Sequence, residues 1–75
     1  MESQCKQILQ YMEDFGSITP LNAMTDLGVM RLAARISDLR RAGYRISRKT
    51  ETAKNRYGRA VRYARYRLEG TENAQ

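Results

Sequence analysis

The stretch GVMRLAARISDLRRAG, residues 28–43, sets four arginines and one aspartate among small and apolar residues. A guanidinium is planar and permanently charged. Its fork of donors matches a phosphate, a carboxylate, or the O6 and N7 edge of guanine, two bonds at a time. At 3.6 residues per turn Arg31, Arg35 and Asp38 fall on one flank of a helix, with Ala34 and Arg41 on the outer face beside them. Ala34 is small enough for close approach, and its methyl could touch a thymine. Asp38 alone opposes Arg31, Arg35, Arg40 and Arg41. At helical spacing it can orient Arg31, Arg35 or Arg41, or accept from a cytosine amine. A cluster so poorly balanced repels itself, which points to an anionic partner.

A second cluster lies further on. Residues 45–67 hold nine arginines and lysines against Glu51 alone. Lys54, Arg56 and Arg59 surround Asn55 and Gly58, residues suited to a turn. Cations at such a tip could reach a phosphate backbone or enter a minor groove, and Tyr57 could donate to a phosphate. Across the chain the net charge is +6. Residues 1–27 carry one basic residue against four acidic ones, and residues 28–75 carry thirteen against four.

Other chemistries lack their parts. The chain has no histidine, and its one cysteine, Cys5, can form no internal disulfide. No glycine-rich phosphate loop, zinc-type cysteine pair or Ser–His pair is present. Glu13 and Asp14 are adjacent, hence splayed on a helix, and make no general acid–base pair. Neither an enzyme nor a cofactor or metal is expected. No apolar run approaches the roughly 20 residues of a membrane span, and MESQCKQILQ lacks the basic and apolar regions of a signal peptide. The expected location is cytoplasmic, with no membrane contact.

Those clusters need elements to hold them. Cys5, Ile8, Leu9, Met12 and Phe15 form one stripe and predict a helix over 3–15, with Ser3 as N-cap and Gly16 as C-cap. Thr19-Pro20 is a helix start, and a second helix over about 20–27 should face Leu21, Met24 and Leu27 inward. Ile18 before it can staple onto the helix or form a short strand. Gly28 suits a left-handed turn. A third helix over 30–42 should bury Leu32, Ile36 and Leu39. From Tyr44 the pattern alternates, predicting two strands around the basic tip, with Ile46, Ala64, Tyr66 and Leu68 inward. The expected fold is α+β: three helices followed by a C-terminal β-hairpin, the order of a winged helix-turn-helix. One domain over 1–69 should precede a disordered tail over 70–75.

The segment ITPLNAMTDLGVMRLAARISDLRRAGYRI, residues 18–46, resembles a family of short helix-turn-helix domains of phages and prophages. The resemblance rests on Ile18-Thr19-Pro20 with Ala23, on Arg31 to Ile36, and on Leu39-Arg40 with Gly43-Tyr44 and Ile46. Arg65 to Leu68, RYRL, is similar to the last wing strand of the same family. The resemblance implies a winged helix-turn-helix that binds DNA. Four residues before Gly28 stands Met24, where repressor-type motifs carry a small residue, so the turn is not of the tight repressor type.

The expected partner is double-stranded DNA. Helix three would lie in the major groove with its N-terminal turns on base edges. Thr19 at the head of helix two, Arg31, Ala34, Arg35, Asp38 and Arg41 would serve there. Lys54, Arg56, Tyr57 and Arg59 would follow on the wing. A phage or prophage regulator, or a recombination directionality factor, fits this reading, and a homodimer would fit a palindromic site. The alternative is a phage-encoded inhibitor of anti-CRISPR or anti-restriction type, presenting its basic face to a host or phage protein or nucleoprotein.

Overall fold

The computed structural model describes residues 3–71. The order is α1 (Ser3–Phe15), α2 (Pro20–Leu27), α3 (Leu32–Arg41), β1 (Tyr44–Lys54) and β2 (Ala60–Thr71). This is the expected α+β arrangement of three helices and a hairpin wing.

α1 buries Cys5, Ile8 and Met12 from its apolar stripe. Ser3, expected as a cap, is its first helical residue. Gly16, at φ 86°, ends the helix, and its N–H donates to the Met12 carbonyl at 2.8 Å. Phe15 was expected inward but is 70% exposed. The chain turns away at Gly16 and leaves the last turn uncovered, so Phe15 rests on Tyr11, ring centroids 4.7 Å apart.

Thr19 and Asn22 form a reciprocal cap on α2. The Asn22 N–H donates to Thr19 Oγ1, and the Thr19 N–H to Asn22 Oδ1, each at 3.1 Å. Leu21 and Met24, also expected inward, are exposed, whereas Ala23 is completely buried and Leu27 half-buried. The cap fixes the rotation of this eight-residue helix, so the inward line runs Thr19, Ala23, Leu27 at spacings of four.

The helix closes at Gly28, in the left-handed region at φ 69°, with the Val29 N–H donating to the Ala23 carbonyl at 2.9 Å. That closure occupies Gly28 and Val29, and it corrects the expected span of helix three. Val29 plugs the core from the turn rather than starting the helix. α3 begins at Leu32 instead of residue 30 and ends at Arg41. Leu32, Ile36 and Leu39 are buried as their spacing predicts.

β1 and β2 pair antiparallel, with Ile46 opposite Leu68, Thr50 opposite Ala64 and Lys54 opposite Ala60. Ile18 bridges Tyr66 through two backbone hydrogen bonds of 2.9 Å and so acts as a one-residue third strand. β2 continues to Thr71, two residues past the expected domain boundary at 69. The remainder of the expected disordered tail, 72–75, lies outside the described residues. Ile8, Ile18, Val29, Ile36 and Leu39 are the most deeply buried large side chains, so loop, strand and helix residues share one core.

Candidate nucleic-acid interface

Arg31 stands at the N-cap of α3 with an extended φ of −122° and makes no side-chain capping bond. It is exposed, and its guanidinium has no hydrogen-bond or ion-pair partner among the described residues. Being outside the helix proper, it projects from the turn that leads into α3. With Pro20, Met30, Ala34 and Tyr66 it lines a shallow depression between the starts of α2 and α3. A second depression, sharing Pro20, is lined by Arg48, Thr50, Arg62 and Ala64 on the hairpin. One surface therefore runs from the head of α3, past the head of α2, onto the inner face of the wing.

The other arginines of α3 are engaged differently. Arg35 Nη2 lies 3.1 Å from Asp38 Oδ2, and Arg41 Nη2 donates to Asp38 Oδ1. Asp38 thus orients both, at a spacing of three on either side. Arg35 Nε is buried with no partner among the described residues. A side chain tied and desolvated in this way holds a fixed direction, whereas Arg31 is free to follow a ligand. Arg40 turns towards the sheet instead. Its Nε and Nη2 donate to the Ile46 carbonyl at 3.3 and 2.9 Å, locking the end of α3 to the start of β1. Its charge has no acidic partner among the described residues, but its direction is set by the sheet. Thr19 is 5% exposed with its hydroxyl committed to the α2 cap, so its contribution to the surface is to hold Pro20 and the helix head in place.

At the wing tip, Asn55 organises the turn. Its Oδ1 accepts from the N–H of Tyr57 at 2.9 Å and of Arg59 at 3.1 Å, while Gly58 takes φ 79°. Lys54, Arg56 and Arg59 are exposed, and Tyr57 is 84% exposed. These residues gather at the tip, apart from the depression that holds Arg31 and Ala34.

The hairpin adds two cations to those expected from the sequence, Arg48 and Arg62. Residues opposite each other in the ladder share a face, so Ile46, Arg48, Tyr66 and Ala64 lie together, followed towards the tip by Thr52 and Arg62. The face that starts in the core leaves it as a basic surface. The alternation itself carried this signal: Arg48 has the parity of Ile46, and Arg62 that of Ala64.

The opposite face holds the wing's angle. Glu51 Oε1 accepts from Arg65 Nε at 2.9 Å and from the Tyr63 hydroxyl at 3.0 Å, and Arg65 Nη1 donates to Ser17 Oγ at 2.8 Å. The chain links β1, β2 and the segment before α2. The Arg65 bond, then that of Tyr63, holds the Glu51 carboxyl below its usual range. A carboxylate depressed in the folded state adds stability above its unfolded pKa, about 4.3, and loses it as pH falls through the folded value. Glu51→Gln should therefore lower the melting temperature at pH 7 and make its decline towards pH 3 shallower, as thermal melts across that range would show. Parallel curves for the two proteins would remove Glu51 from the acid response.

A family model described as "Winged helix-turn-helix domain" matches residues 3–70. No curated protein and no solved structure matches the chain. The matched span takes in α1 to α3, β1 and all but the last residue of β2.

Proposed function

Because this chain belongs to the winged helix-turn-helix family, we propose that it binds double-stranded DNA, with the head of α3 in the major groove and the basic hairpin along the backbone. The observation that carries the reading is the continuous surface of Arg31, Ala34 and Pro20 with Arg48 and Arg62. A major groove about 12 Å wide admits one helix, and its base edges are met by the helix's first turns. Arg31 then reads a base edge, Ala34 permits the approach, and Asp38 aims Arg35 and Arg41. The wing cations Arg48, Arg62, Lys54, Arg56 and Arg59 neutralise phosphates. The function is binding rather than catalysis. No helix among the described residues is long and apolar enough to cross a membrane, and a DNA partner suits a cytoplasmic location. The resemblance of residues 18–46 to phage and prophage domains supports a phage or prophage regulator or a recombination directionality factor. The preferred site would separate these two, as an operator over a promoter or a repeat beside a recombination site.

A salt titration against a selected duplex and a random one tests the proposal. Log affinity should fall steeply with log salt for both, and the preference for one sequence should survive at high salt. Equal competition by random DNA at every salt concentration would leave a non-specific binder, and no binding at low salt would end the reading. Arg31→Ala should weaken the preferred sequence by about 1–3 kcal/mol and random DNA far less. Equal weakening of both would reduce Arg31 to a phosphate contact.

A further inference from the structure

Between α1 and α2 lies an open cleft of about 380 Å³ that shares no residue with the surface described above. Its floor is apolar: Tyr11, Phe15 and Leu27, with the Phe15 ring largely in water. Its rim is acidic: Asp14 and Asp26, with Glu13 in the same turn of α1 as Asp14. Asp26 accepts from the Tyr11 hydroxyl and Asp14 from Gln10 Nε2 at 2.9 Å, and neither carboxylate has a cationic partner among the described residues. Both helices end here, and neither has a basic residue in its last turn. The negative ends of two helix dipoles therefore add to the carboxylates instead of being offset. An apolar floor inside a negative rim fits a basic segment carrying an aromatic anchor.

The chain itself presents such a segment. The wing tip holds Tyr57, 84% exposed, between Arg56 and Arg59 on a turn braced by Asn55. A two-fold contact of cleft on cleft would set like charges against each other, whereas tip on cleft pairs opposite ones. We propose that the α1–α2 cleft receives the wing tip of a second copy of this chain, with Tyr57 against Tyr11 and Phe15, and Arg56 and Arg59 against Asp14 and Asp26. Such a contact joins two different patches, so it is head-to-tail and builds short open arrays unless two copies exchange tips reciprocally. The patch is small, so each contact is weak. Its charges are exposed, so salt screens them, with a Debye length of about 10 Å at 0.1 M.

Sedimentation equilibrium at low salt without DNA tests this independently of any nucleic-acid reading. The unmodified protein should gain mass with concentration and lose that gain as salt is added. Phe15→Ser and Tyr57→Ser alter exposed side chains, and circular dichroism should report both folded. Each variant alone should remain a monomer. An equimolar mixture should form a dimer and nothing longer, since it retains one intact tip and one intact cleft. An unmodified protein monomeric at every concentration, variants that assemble as it does, or a mixture that fails to pair would each overturn the proposal.

Discussion

Ile36→Ala is expected to destabilise the protein by about 2–5 kcal/mol, the range for removing a large aliphatic side chain from a packed core. Ile36 is 1% exposed and sits at the middle of the buried line Leu32, Ile36, Leu39. It belongs to one buried cluster to which every element contributes, including Ile8 of α1, Val29 of the α2–α3 turn and Ile46 of β1. With so many elements sharing one small core, no neighbour can close the cavity without moving another. A chain of 75 residues has roughly 4–11 kcal/mol of stability in total at typical values per residue. The substitution therefore removes a large share, and the melting temperature should drop by about 4–8 °C for each kcal/mol lost. Urea denaturation measures the effect directly. A loss below about 1 kcal/mol would mean that the core is looser than this packing implies.

The double substitution Arg48→Ala with Arg62→Ala should produce the largest loss of DNA affinity that leaves the fold intact. Both side chains are exposed, and the one side-chain bond either makes among the described residues is from Arg48 Nη1 to Thr50 Oγ1 at 3.2 Å. Each neutralised phosphate adds about 0.9 to the slope of log affinity against log salt, so the double variant should lose roughly two units of slope. The loss should be alike for preferred and random sequences, since phosphate contacts carry no sequence information. Thermal melts should match those of the unmodified protein. An unchanged slope would take the inner face of the wing out of the interface and leave only the tip.

Core and binding surface separate within a short stretch of chain. Ile36 and Arg31 lie five residues apart, yet the first serves the core and the second the outer surface. Loss of Ile36 should appear in stability before binding, and loss of Arg31 in sequence preference without a change in stability. Arg40 lies between these extremes: a cation by type, it acts as a brace because two of its nitrogens donate to one backbone carbonyl.

Local rules determined much of this protein. The periodic spacing of Cys5, Ile8 and Met12, and of Leu32, Ile36 and Leu39, reported which faces are buried. Thr19-Pro20 marked the start of α2, and the switch to alternation after Gly43 marked the hairpin. These are short-range consequences of helix and strand geometry, so one sequence suffices to read them. Charge imbalance likewise shows from the sequence alone that the second half of the chain is the basic one.

Tertiary structure decided the rest, because each remaining question compared residues distant in sequence. The rotation of α2 was set by its cap and by the space available to Ala23, which turned Leu21 and Met24 outwards against their apolar character. The start of α3 was set by the closure of α2 at Gly28 and Val29, which left Arg31 outside the helix and its side chain without a partner among the described residues. Among the arginines, composition could not tell a brace from a ligand contact. Arg65 met Glu51 and Ser17, Arg40 met the Ile46 carbonyl, and Arg48 and Arg62 came to lie beside Pro20 at the head of α2 only when β2 paired with β1 and with Ile18. A guanidinium's role depends on which acceptor comes within about 3 Å, and that distance is a property of the packed chain.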